Sequence, residues 1–369
     1  MLLAVLPIAA VLTLIFACAT DVPLVDDWSM VDLATRASDG SLTWDDVWHE
    51  HNEHRALFPR LVIAASARLT GWDLRAQMFA SVFVVAIALL LVGGLLYRTP
   101  GLSAWSVPVA AAVLFSLHGW RNWLWGCQIH LTLATTGAVG ALALLGGRSI
   151  GAVRTAVAAA FALVASWSFL AGFAVWPMGL LVLVLRPFPD GRRRRSAILI
   201  WCLGMIVAIV AHVATSASLD GAGTDKRQVF ESSPRQIAAF ASRYQGAGLV
   251  GASAGEGFTD VVGTIGQVGL VLLGLAVVIT RRRRPDLLAL VAIGGFGLGC
   301  GYMIALGRVQ HAGIETAAAP RYAAFAGLAW LTVLIVPAAL FGSSGRRIGI
   351  GIGRTIAAAG VIAWLATQP

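Results

Sequence analysis

The sequence predicts an all-α, polytopic membrane protein with about eleven transmembrane helices and membrane-parallel helices in its first outer loop. Three observations carry that expectation. Of the 369 residues, 58% are hydrophobic and only 12% charged, against about 25% charged in a soluble domain. The apolar residues fall in runs that approach the roughly 20 needed to cross a bilayer. The arginines cluster at every second run end, as the positive-inside rule requires.

The expected spans, in order, are 2–19, 78–97, 104–118, 130–146, 152–167, 170–185, 196–216, 261–280, 286–306, 322–341 and 348–366. The third and fifth are short. With a cytoplasmic N-terminus and alternating spans, the inner loops hold fifteen of the 27 basic residues and two acids, a net +13; the outer side then carries −4. The runs Arg192 to Arg195 and Arg281 to Arg284 read as orientation signals. The spans are rich in Gly and Ala, as in 294–301, which suits close helix packing in lipid. Residues 1–369 read as one transmembrane domain. The first outer loop is 20–77, and a second, at 217–260, is a candidate lid over a substrate.

These placements exclude several function classes. The net charge of +9 is a topology signal, so no nucleic-acid partner is expected. The four cysteines, Cys18, Cys127, Cys202 and Cys300, show no metal or redox spacing and read as packing residues. The first run has no basic flank and is expected to stay as a span. A single lysine among many Arg, Ala and Gly residues points to a GC-rich bacterial genome and hence to a bacterial inner membrane.

Residues 21–60 are the exception to this apolar character. They hold nine of the eighteen Asp and Glu residues, three of the seven His and three of the thirteen Trp. Ser41 opens a cap and an amphipathic turn, and 56–69 reads as a helix on the membrane surface with Arg60 and Arg68 toward the headgroups. Trp28, Trp44, Trp48 and Trp72 suit an interfacial belt. Asp26 and Asp27 form a carboxylate pair seven residues past the first span, suited to general-base or metal chemistry. His49-Glu50-His51-Asn52-Glu53-His54-Arg55 lacks the i, i+4 histidine pair of a zinc helix. Its better reading is a polar wall: Glu53 and His54 face a substrate, and Arg55 or Arg60 pairs with phosphate.

Two later outer segments carry matching groups. Residues 118–130 interleave Trp120 and two more tryptophans with Arg121, Gln128 and His130. Such a surface stacks on sugar rings or headgroups, or simply anchors the chain at the interface. Arg308, Arg321 and Tyr322 stand near the head of a late span, where a guanidinium can clamp phosphate. Residues 166–177 form a tight outer hairpin, read as packing.

The acidic pair, the segment 52–60 and the late Pro320-Arg321-Tyr322 resemble the GT-C superfamily of integral membrane glycosyltransferases. That resemblance implies transfer of a sugar from a polyprenyl-phosphate donor to a glycan or lipid acceptor on the outer face. Asp26 or Asp27 would be the base, Glu53 and His54 would shape the site, and Arg55, Arg60, Arg308 and Arg321 would be candidate phosphate clamps. The carboxylates are compatible with a divalent metal, but no cofactor is required. Many GT-C members carry a soluble C-terminal domain that has no counterpart here. The rival readings are a lipid-linked glycan polymerase or ligase, a transporter or flippase, and a non-catalytic assembly partner. A transporter would hold ionisable groups within its spans, where this sequence has almost none beyond His212.

Overall fold

A computed structural model describes residues 2–48, 50–51, 54–102, 104–216, 233–281 and 284–342. The described residues are all-α apart from one small hairpin. In order, its elements are α1 (Val5–Cys18), α2 (Val31–Asp39), α3 (Trp44–Trp48), β1 (Glu50–His51), β2 (His54–Arg55), α4 (Leu57–Thr70) and α5 (Leu74–Arg98). There follow α6 (Ser106–Leu114), α7 (Trp120–Leu124), α8 (Ile129–Leu145), α9 (Ala152–Ser166), α10 (Val175–Leu185) and α11 (Gly191–Ser216). The last four are α12 (Pro234–Val250), α13 (Glu256–Arg281), α14 (Pro285–Ala312) and α15 (Ala323–Gly342).

Six helices among the described residues are long and apolar enough to cross a membrane, and the chain is a multi-pass membrane protein. The outer helices show what solvent they face. On α13 Val261, Ile265, Val268, Leu272, Leu275 and Ile279 are exposed, a stripe of alternating four- and three-residue steps, with Phe258 and Val271 exposed beside it. An apolar stripe turned outward suits lipid rather than water. Helices α8 and α15 are the most enclosed, and the core gathers around them.

The expected count of eleven full spans is not reproduced. α1, α9 and α10 are apolar but shorter, at 14, 15 and 11 residues. α6 has nine residues, which rise about 13 Å, under half of a hydrocarbon core. Its residues from Val109 to Leu114 are buried, so protein rather than lipid surrounds the chain where it leaves the helix. The eleventh expected span, 348–366, lies outside the described residues.

A second difference falls at 217–260. Its latter part is helix α12, opened by Ser233 and Gln236 in a reciprocal cap with Pro234 at the first turn. Phe240, Tyr244 and Leu249 are buried, and the helix packs on α13, α14 and α15. Small residues permit this approach: a side chain at Gly246 or Gly263 would strike the facing backbone carbonyl of Thr259 or Ser242. The glycine-rich 294–301 segment works in the same way, with Gly297 against Phe325 O and Gly301 against the Tyr244 ring. Residues 217–232, the other part of the expected lid, lie outside the described residues.

Long-range hydrogen bonds sort the connections between helices into two ends. Asp27 reaches Cys127, His54 reaches Leu170 and Asn122 reaches Arg321 at one end, here the loop end. Arg186 reaches Leu145 O and Gly147 O, and Arg284 reaches Pro100 O, at the opposite, arginine end.

Candidate functional site at the loop end

Most acids of the first loop are engaged in local structure. Asp21 Oδ1 accepts the N–H of Leu74 at 2.8 Å and caps α5 from 53 residues away. Asp39 closes a turn on Ser41. Asp46 Oδ2 accepts from Thr43 N at 2.7 Å, and Thr43 caps α3 in return, in place of the expected Ser41. Asp32 pairs with Arg36 at 3.1 Å. Each orphan helix N–H satisfied in this way contributes on the order of 1 kcal/mol.

Asp27 is the most constrained of them. It is 2% exposed, in a short 3-10 turn, Val25–Met30. Its Oδ2 accepts the N–H of Leu24 at 2.9 Å, and its Oδ1 accepts the N–H of Cys127 at 3.1 Å. Burial pushes its pKa above the ordinary 3.8. The two backbone N–H groups and the adjacent Trp125 indole oppose that shift, and the charge of Asp26 adds to it slightly. The Trp125 N–H lies beside the carboxylate without completing a hydrogen bond. Val25, just before the pair, has φ of 35°, strained for a β-branched residue by roughly 1–3 kcal/mol. The tied turn holds it there.

Asp26, the other half of the pair, is half-buried. Among the described residues its carboxylate has no hydrogen bond or ion pair. The pair is thus divided: one carboxylate fastens the turn, and the other has no partner among the described residues.

The histidine-rich run forms a hairpin, with Glu50 opposite Arg55 and His51 opposite His54. Glu53 lies outside the described residues, as does His49. His54 Nδ1 accepts the N–H of Leu170 at 3.2 Å, which places the proton of the neutral ring on Nε2. His130 Nδ1 lies 2.7 Å from Cys127 O and so must donate, the opposite tautomer in the neutral ring. The two rings lie 6.5 Å apart and both pack on Phe169, at 4.3 and 5.6 Å. Phe169 in turn stacks on Phe325 of α15.

Arg60 differs from the expectation that it faces headgroups. It is 7% exposed, and its Nη1 donates to Asp46 O at 2.7 Å, while Arg68, in the last turn of α4, is exposed. The reason is register: Leu57, Arg60, Ile63, Ala64 and Ala67 share the inward face of α4. Arg55 is also buried, donating to Trp48 O at 2.7 Å with its guanidinium 5.1 Å over the Trp48 ring. Arg60, His54, His130, Cys127 and Ser168 line a cavity of about 20 Å³, room for one water. Arg60 Nε and Ser168 Oγ, both buried, have no partner among the described residues.

The 118–130 segment is less of a surface than its composition suggests. Trp120 and Arg121 are exposed and stack at 5.3 Å. Trp123, Trp125, Asn122 and Gln128 are buried, because the segment turns back into the bundle and Trp123 Nε1 donates to Ser116 O at 3.0 Å. Asn122 Nδ2 donates to Arg321 O at 3.0 Å, which joins this segment to the late Pro320–Tyr322 turn. Arg321 is half-buried, its guanidinium 5.0 Å over the buried Tyr322 ring and without an ion pair among the described residues. Beside it His118 is buried, and burial lowers its pKa to about 4 despite a backbone hydrogen bond to Leu249. Arg308 lies half-buried on α14, in the turn before the loop end.

The structure therefore brings Asp26, Asp27, His54, Arg60 and His130 into one neighbourhood, and places Arg321 and Tyr322 next to α7, which leads into it. It adds Cys127, Ser168 and Phe169, which sequence reasoning treated as packing. The only signal for the last two was the polar Ser168 in an outer hairpin. No cluster of three or more metal-binding side chains occurs among the described residues. No protein-family model matches the chain, and no curated protein or solved structure is similar enough to count as a match.

Proposed function

We propose that the loop end is the active site of a GT-C-like transferase. In this reading it moves a sugar from a polyprenyl-phosphate donor to a hydroxyl of a glycan or lipid acceptor. The observation that carries the reading is the division of the acidic pair. Asp27 spends both oxygens on backbone N–H groups, while the half-buried Asp26 beside it has no partner among the described residues. Asp26 is the base and Asp27 its positioning residue. Asp26 takes the acceptor O–H proton as the acceptor oxygen bonds to the anomeric carbon. The bond from that carbon to the donor phosphate breaks, leaving polyprenyl phosphate and an inverted sugar. Arg321 stabilises the charge on the departing phosphate, and Trp120 offers a face for a sugar ring. His54, His130 and Arg60 form the wall behind the pair, and Glu53 is a further candidate contact.

The arginine distribution supports a bacterial inner-membrane location with the arginine end cytoplasmic and the loop end outside. The candidate groups lie at the loop end rather than midway along the helices, which favours interfacial chemistry over passage through the bundle.

The test is turnover of a panel of radiolabelled polyprenyl-phosphate monosaccharides by the purified protein with membrane-lipid and glycan acceptors. At least one donor should release its sugar. Asp26→Asn should slow that release by about 10²-fold or more, the usual size of general-base catalysis, without changing thermal stability. Consumption of no donor, or wild-type turnover by Asp26→Asn, would reject the assignment.

A further inference from the structure

At the arginine end, the ends of α5 and α8 and the starts of α9 and α14 enclose a cavity of about 480 Å³. Its polar side carries Arg98, Arg148, Arg154 and Arg284. Arg284 is taken: it binds Asp286 at 2.6 Å and Pro100 O at 3.0 Å. Arg154 lies against Gly147, where a side chain would collide with the guanidinium, and its Nε donates to Leu144 O at 2.8 Å. Arg98 and Arg148 are exposed and make no side-chain hydrogen bond or ion pair among the described residues. Arg186 stands behind them, bonded to Gly147 O and Arg148 O. Its pKa falls to about 10, first through burial and then through the charge of Arg154.

This is a cluster of like charges without its counter-ion. The acids at this end among the described residues are Asp190 and Asp286, and each already has an arginine, Arg193 and Arg284. Grouped cations facing a partly enclosed space call for an anion from outside the chain.

The walls indicate what carries that anion. Leu90, Gly94 and Arg98 form a single i, i+4 row on α5 and all three line the cavity. Leu90 is 75% exposed, and a side chain at Gly94 would meet nothing within 4 Å. The row runs from apolar to cationic over about 12 Å of helix rise. It is open sideways along its apolar part, toward the bilayer. A free anion would need only the arginines; an amphiphile with a charged head matches the whole row.

We propose that this cavity binds an anionic phospholipid, its phosphate among Arg98, Arg148 and Arg154 and an acyl chain along the groove at Leu90 and Gly94. Basic pockets between helices are a recurrent way of holding such headgroups. The site lies at the end of the bundle opposite Asp26 and does not depend on the transferase reading.

Native mass spectrometry of the full chain in detergent, with added dioleoyl phosphatidylglycerol or dioleoyl phosphatidylcholine, tests it. The wild type should retain one phosphatidylglycerol and release phosphatidylcholine. The double variant Arg98→Gln, Arg148→Gln should lower that retention roughly tenfold or more. Gly94→Trp, which fills the groove and leaves every charge in place, should lower it as well, with the melting temperature unchanged in both. Equal retention of the two lipids, or retention that survives both variants, would overturn the proposal. So would displacement of the lipid by millimolar inorganic phosphate, since that would mark an anion site indifferent to the chain.

Discussion

The Asp27 carboxylate accepts the backbone N–H of Cys127 at 3.1 Å, across 100 residues of chain. This bond fastens the turn after α1 to the turn before α8, and so sets where the first loop stands over the bundle. The same carboxylate caps its own turn at Leu24. Loss of the side chain removes both bonds and leaves two N–H groups without an acceptor, one of them buried.

Thiol labelling reads this clasp directly. Cys127 and Cys300 are buried, Cys202 is half-buried and Cys18 is exposed. In a chain whose other three cysteines are replaced by serine, Cys127 should react slowly with a maleimide. Asp27→Ala should speed that reaction and lower stability by about 1–3 kcal/mol, the usual cost of leaving buried polar groups unpaired. Unchanged labelling in Asp27→Ala would show that the clasp does not hold the loop.

The pH dependence of the same site has a defined sign. Burial holds the Asp27 pKa above 3.8 in the folded chain. A carboxyl raised in this way binds its proton more tightly folded than unfolded. Its contribution is therefore full below about pH 3.8 and is lost as pH rises through the folded value. Comparison with Asp27→Asn cancels the other acids. The melting-temperature advantage of the wild type over Asp27→Asn should be larger near about pH 4 than near about pH 7; the reverse trend would contradict the burial argument.

What could be read from the sequence follows how local each signal is. Apolar runs report on themselves, so the helices from α5 to α15 that face lipid or the core fall close to the expected spans. α12 escaped because its inward face is built partly from Gly246, Ala247 and Gly248, whose packing value depends on what lies opposite. The concentration of acids between 21 and 60 was plain, but its meaning was not. Asp21, Asp39 and Asp46 cap helices and turns, and Asp27 does so through a partner 100 residues away. Position in the chain could not separate Asp26 from Asp27; only burial and bonding did. Likewise, the spacing that put Arg60 on a surface helix does not say which face of that helix is covered.

His118 gives a second pH test at the other edge of the loop end. Its pKa falls from 6.5 to about 4 because it is buried. A base lowered in the fold contributes stability above its unfolded value and loses it as pH falls toward the folded one. The wild type should therefore lose stability between about pH 6.5 and about pH 4, and His118→Gln should lack that component. Parallel pH profiles of melting temperature for the two proteins would show that His118 is not buried as a neutral ring.

The contact between α12 and α13 makes the sharpest prediction about the fold. Gly263 on α13 faces Ser242 O of α12, where an added methyl group would collide with backbone rather than with a side chain able to move. At Gly257, on the same helix, an added methyl group would meet nothing within 4 Å, and the backbone there is ordinary helix. Alanine is a better helix former than glycine at both positions. Helix propensity alone therefore predicts that both substitutions stabilise. Packing predicts that they diverge. Gly263→Ala should cost about 1–3 kcal/mol through overpacking, and Gly257→Ala should be neutral or gain about 0.5 kcal/mol. Thermal unfolding of the two variants in the same detergent decides the matter. Equal effects would mean that α12 does not sit against α13.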